Sequence, residues 1–68
     1  MNNIFEIGMK IEIYENRLFS IKNDLKIELN KSVINWGKVH ELSINAVGYS
    51  NKIKENFQLK LKYIEDNV

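Results

Sequence analysis

Two hydrophobic periods compete along this chain. Phe5, Ile7, Met9, Ile11 and Ile13 alternate with Glu6, Gly8, Lys10 and Glu12. Leu25, Ile27 and Leu29 alternate with Lys26 and Glu28, and Phe57, Leu59, Leu61 and Tyr63 with Gln58, Lys60 and Lys62. Phe19-Ser20-Ile21 is a shorter piece of the same pattern. A period of two sends alternate side chains to opposite faces of a strand, and Ile, Phe and Tyr suit strands. Loops Glu15-Asn16-Arg17 and Lys22-Asn23-Asp24 would join these pieces, setting Ile13 against Phe19 and Ile21 against Leu25. Such loops end in a residue that tolerates positive φ; Asp24 suits that position and Arg17 does not.

From about Val33 to Asn56 the period changes. Val39, Leu42, Ala46, Tyr49, Ile53 and Phe57 fall at three- and four-residue steps, one stripe of an amphipathic helix. Ser32 or Asn35 is placed to cap its start. Gly48 weakens its interior by roughly 1 kcal/mol relative to alanine. The predicted fold is therefore α+β: a small antiparallel meander plus a C-terminal strand, with one long amphipathic helix packed on one face. The rival is an all-α antiparallel helical hairpin that dimerises into a four-helix bundle. In that reading Ile4, Ile7, Ile11, Tyr14, Leu18, Ile21 and Leu25 occupy a and d positions of a heptad. The hairpin leaves Phe5, Met9, Ile13, Phe19, Ile27, Leu29, Leu59 and Tyr63 off the seam. The mixed fold leaves fewer unplaced: Ile4, Tyr14, Leu18, Val33, Ile34 and Ile64. On that comparison the mixed fold is the expectation.

The length of 68 residues implies a single small domain over 1–68, close to the lower limit for a core that stands alone. There is no cysteine and only one histidine, so thiolate and multi-histidine metal centres are excluded. No metal or other cofactor is expected. The formal net charge of +1 gives no electrostatic reason to expect nucleic acid or an anionic membrane. Glu6, Lys10 and Glu12 interrupt the apolar run after Met1, which argues against a signal peptide, and no stretch approaches a membrane span. A soluble, cytoplasmic protein is expected. The chain is rich in Ile, Lys and Asn, and Arg17 is its one arginine. That usage suits an AT-rich coding sequence, as in a low-GC bacterium, a phage or another mobile element.

The run Val39-His40-Glu41-Leu42-Ser43 resembles part of the small two-helix sporulation phosphatases that act on response regulators. Their signature continues with Gln directly after the Ser, then an acidic residue three positions later. Here Ile44 and Val47 stand at those positions, so no functional residue is carried over.

His40 is the one side chain whose ordinary pKa lies near neutrality. The adjacent Glu41 points about 100° away around a helix, and Ser43 approaches only from i+3. The carboxylates are scattered, and Gly8, Gly37 and Gly48 form no phosphate-cradling motif. No catalytic residue is assigned, and the chain is not expected to be an enzyme. Its most informative feature is a second apolar set beside the stripe of the predicted helix: Trp36, Ile44 and Val47, with His40 among them. The combined arc exceeds about 200°, wider than a helix on one sheet requires. Exposed apolar patches mark binding sites, and Trp and Tyr anchor them. The expectation is a small regulator or inhibitor that binds another protein through Trp36, Ile44, Val47, Tyr49 and His40, or pairs with a second copy. The alternative is a nucleic-acid binder using Lys10, Lys22, Lys26, Lys60 and Lys62 on the solvent face of the sheet, where Glu6, Glu12 and Glu28 oppose the field.

Overall fold

The computed structural model describes residues 4–66. It contains two α-helices, α1 (Ile4–Leu29) and α2 (Trp36–Asp66), joined by a six-residue turn, and no strand among the described residues. The hairpin measures 54 × 17 × 14 Å. Its radius of gyration is 15.7 Å, against about 11 Å for a compact chain of this length.

This corrects the α+β expectation in favour of the helical hairpin. The segments read as strands, 5–13, 19–21, 25–29 and 57–63, are all helical. Over so few residues, alternation does not separate a strand from a helix with apolar side chains on two faces. Ile7 and Ile11 are buried in the seam, while Phe5, Met9 and Ile13 of the same alternating run lie exposed on the outside. The two proposed strand loops contain no glycine, and Arg17 is a poor residue for positive φ. A continuous 26-residue helix needs neither loop.

The seam follows the heptad. Ile7, Ile11 and Ile21 of α1 are buried, Tyr14, Leu18 and Leu25 are half-buried, and Ile4, the first position of the heptad, is exposed. From α2 come Val39, Leu42, Ala46, Tyr49 and Ile53, all half-buried. The expected stripe fails at its end. Asn56, which is not in that stripe, is only 8 % exposed, and Phe57, which is, is turned half out to solvent. The three–four spacing runs from Ile53 to Asn56 and on to Lys60 and Tyr63. Asn56 Nδ2 donates 2.8 Å to the carbonyl of Lys52, one turn back on its own helix, so its burial does not leave that donor orphaned.

The register is fixed at two levels. The rings of Tyr14 and Tyr49 face each other at 6.0 Å between centroids, and Glu28 meets Asn35 at the turn. Residue 19 is therefore level with 44–45, and Ile7 with Asn56. At the turn, α1 closes with the Asn30 N–H donating to the carbonyls of Lys26 and Ile27. Asn35, one of the two expected caps, is the residue that starts α2. Its Oδ1 accepts from the backbone N–H of Lys38 at 3.1 Å, and its carbonyl accepts the first helical bond, from Val39.

Candidate functional site: the apolar side of the hairpin

Two helices touching along one seam cannot cover their own apolar surface. In the heptad frame, the positions flanking the seam form a row on each side. On one side, α1 presents Phe5, Glu12, Phe19 and Lys26 at intervals of seven, and beside them Gly8, Glu15, Lys22 and Leu29. In an antiparallel pair the corresponding positions of α2 fall on the same side: Trp36, Ser43, Ser50, Phe57 and Ile64, with His40, Val47, Lys54 and Leu61 behind them. Phe19 is 63 % exposed and Trp36 65 %. Phe5, Val47 and Leu61 are also more exposed than buried.

Between the helices this side is hollowed into an open groove of about 560 Å³. Leu18, Phe19, Ile21, Leu25 and Leu29 of α1 and Ala46 of α2 form its apolar lining. Ala46 is the smallest side chain of the α2 seam, and a larger residue there would fill the space beside Phe19. Glu15, Lys22 and Lys26 edge the groove with their side chains.

The residues expected to bind protein are divided by the structure. Trp36 and Val47 are eleven positions apart, about 20° in helical phase, and share the apolar side with the exposed His40 between them. Ile44 and Tyr49 instead line a second, smaller depression of about 340 Å³ with Tyr14, Asn45, Gly48 and Lys52. Tyr49 is a half-buried seam residue. Its ring meets Tyr14 and lies under the Arg17 guanidinium, 5.7 Å from Cζ to centroid, and its hydroxyl accepts from Arg17 Nη1 at 3.2 Å. Phe5, Phe19, Leu29, Phe57 and Leu61 were not singled out from the sequence as binding residues. The heptad frame was the signal that would have found them.

The lysines do not converge. With no sheet there is no shared solvent face. Lys10, Lys60 and Lys62 lie toward the open end of the hairpin, while Lys22 and Lys26 lie toward the turn, about 18 Å or more away along the axis. Ser43 does not serve His40, because its hydroxyl donates 2.8 Å to the carbonyl of Val39. Among the described residues, no cluster of three His, Cys, Asp or Glu side chains could hold a metal, and no helix is long and apolar enough to cross a membrane.

The most buried charged side chain is Glu28, 2 % exposed at the turn end of the seam. Its Oε1 accepts from Lys31 Nζ at 3.1 Å and lies 3.8 Å from Lys38 Nζ. Its Oε2 accepts from the backbone N–H of Asn35 at 3.3 Å. The bond from Lys31, followed by that from Asn35, outweighs desolvation and holds this carboxyl below the ordinary carboxylate range. This cluster ties the end of α1 to the start of α2 across the turn. Comparison with family models, with curated proteins and with solved structures returns no match for this chain.

Proposed function

We propose that this chain is a non-enzymatic protein-binding module, a regulator or inhibitor that acts by occupying another protein surface with the apolar side of its helical hairpin. The observation that carries this reading is the groove beside Ala46, with Phe19 and Trp36 standing largely exposed on the same side of the hairpin. Aromatic residues at the centre of a concave apolar patch are the usual anchors of protein interfaces, and contiguous exposed apolar surface seldom goes unused. The seam itself buries few large side chains, so covering this side also relieves a deficit of stability.

The experiment is apolar-dye fluorescence and molar mass on the same samples across a dilution series. An open binding side takes up dye, and one already occupied shows as an assembly. Trp36→Ala, with unchanged helical circular dichroism, is expected to weaken either response, by about 2 kcal/mol where an association constant is measured. A chain that neither binds dye nor assembles has covered this side internally, and the reading then fails.

A further inference from the structure

We propose that the occupant of the apolar side is a second copy of this chain, docked α1 against α1 in antiparallel order with Phe19 on the two-fold axis. The proposal rests on the reading of that side as a binding surface and names its partner.

The first argument is charge. Along the exposed rows of α1, Glu12 and Glu15 precede Phe19, and Lys22 and Lys26 follow it. Glu12 and Lys26 are seven residues before and after Phe19; Glu15 and Lys22 are four before and three after. A two-fold axis through Phe19 therefore brings each glutamate of one chain opposite a lysine of the other, with Glu12 facing Lys26 and Glu15 facing Lys22. The parallel arrangement sets glutamate on glutamate and lysine on lysine. The pattern is self-complementary in one orientation only, as an isologous interface requires. Exposed pairs of this kind select orientation more than they add affinity.

The second argument is shape. Phe19 is level with residues 44–45 of α2, where the facing positions are the small Ser43 and Ala46. The groove is open there. Its space beside Ala46 is where a second Phe19 ring would enter, so the narrow waist of one hairpin receives the central bulge of the other.

The third argument is area. The chain exposes 5442 Å², whereas a compact monomer of 8.0 kDa exposes about 4,450 Å². The surplus is roughly 1,000 Å² per chain, or roughly 2,000 Å² for a pair, which is the size of a stable dimer interface. Closing the two hairpins on each other produces a four-helix bundle.

The test is light-scattering mass in a concentration series up to the millimolar range. The wild-type chain is expected at twice 8.0 kDa, and Phe19→Glu at the monomer mass with its helical signal intact, because Phe19 is not part of the seam. The double variants Lys22→Glu/Lys26→Glu and Glu12→Lys/Glu15→Lys are each expected to weaken self-association by at least about tenfold. An equimolar mixture of the two is expected to restore it. A wild-type chain that stays monomeric overturns the proposal. If that monomer binds apolar dye, the binding side stands and its partner is a different protein; if it does not, the functional reading falls as well. A dimer that survives Phe19→Glu and ignores both charge variants uses another surface, and that too overturns the proposal.

Discussion

The Glu28 carboxylate accepts the backbone N–H of Asn35 at 3.3 Å, so the last turn of α1 completes the cap of α2. In a capping box, the cap residue's own N–H is received by an acidic side chain three positions into the same helix. Here that position is Lys38, and the first turn of α2 contains no acidic residue. Glu28 supplies the missing acceptor from the other helix, and places a negative charge where the α2 dipole favours one. Lys31 and Lys38 neutralise it.

This arrangement sets a pH dependence. Glu28 has its folded pKa lowered, chiefly by the bond from Lys31 and next by that from Asn35. The folded state therefore binds fewer protons than the unfolded state around the ordinary glutamate value of about 4.3. The stability Glu28 contributes is complete above that value and is lost as pH falls through the lower folded value. Glu28→Gln is expected to lower the melting temperature near neutral pH and to make its fall toward about pH 3 shallower than in the wild type. Parallel pH curves for the two proteins would refute the linkage.

Asn35 caps α2 with its side-chain oxygen on the Lys38 N–H. Asn35→Ala is expected to cost about 1 kcal/mol, and Asn35→Asp is expected to cost less, since the acceptor is kept. Denaturant unfolding at neutral pH measures both. Equal losses would mean that the capping oxygen contributes nothing.

Glycines 48 and 37 should respond differently to alanine. A Cβ at Gly48 meets nothing within 4 Å, so Gly48→Ala is expected to stabilise by about 0.5–1 kcal/mol through helix propensity. A Cβ at Gly37 sits 3.3 Å from Asn35 Oδ1, the capping atom itself. Gly37→Ala is expected to gain clearly less than Gly48→Ala. Thermal melts of the two variants side by side decide the order.

Asn56 is the polar member of the seam, level with Ile7, and its amide donates to its own helix. Replacing it with Leu adds apolar contact and removes a buried amide, so Asn56→Leu is expected to stabilise the hairpin by on the order of 1 kcal/mol. A buried asparagine restricts register at a cost in stability, so the same variant is expected to broaden the amide NMR resonances of the seam. A destabilised variant with sharp resonances would mean that this site is shaped for asparagine.

The sequence by itself determined most of the α2 stripe and narrowed the start of α2 to Ser32 or Asn35, because helical spacing and capping are local properties of helical backbone; the seam of α1 was legible in it only as the heptad of the rival hairpin reading. It also marked Trp36 and Val47 as apolar residues outside that stripe. It did not distinguish the alternating run from Phe5 to Ile13 from a strand. That run contains both the buried row and an exposed apolar row, and periodicity records hydrophobicity without recording which row finds a partner. Tertiary structure decided the matter by setting Tyr14 against Tyr49, which fixes the register and leaves Phe5, Phe19 and Phe57 outside the seam. The same pairing put Asn56 inside rather than Phe57, and brought Glu28 to the N–H of a residue seven positions away. These outcomes depend on where one helix lies against the other, and an antiparallel register is a property of the pair that neither helix carries alone.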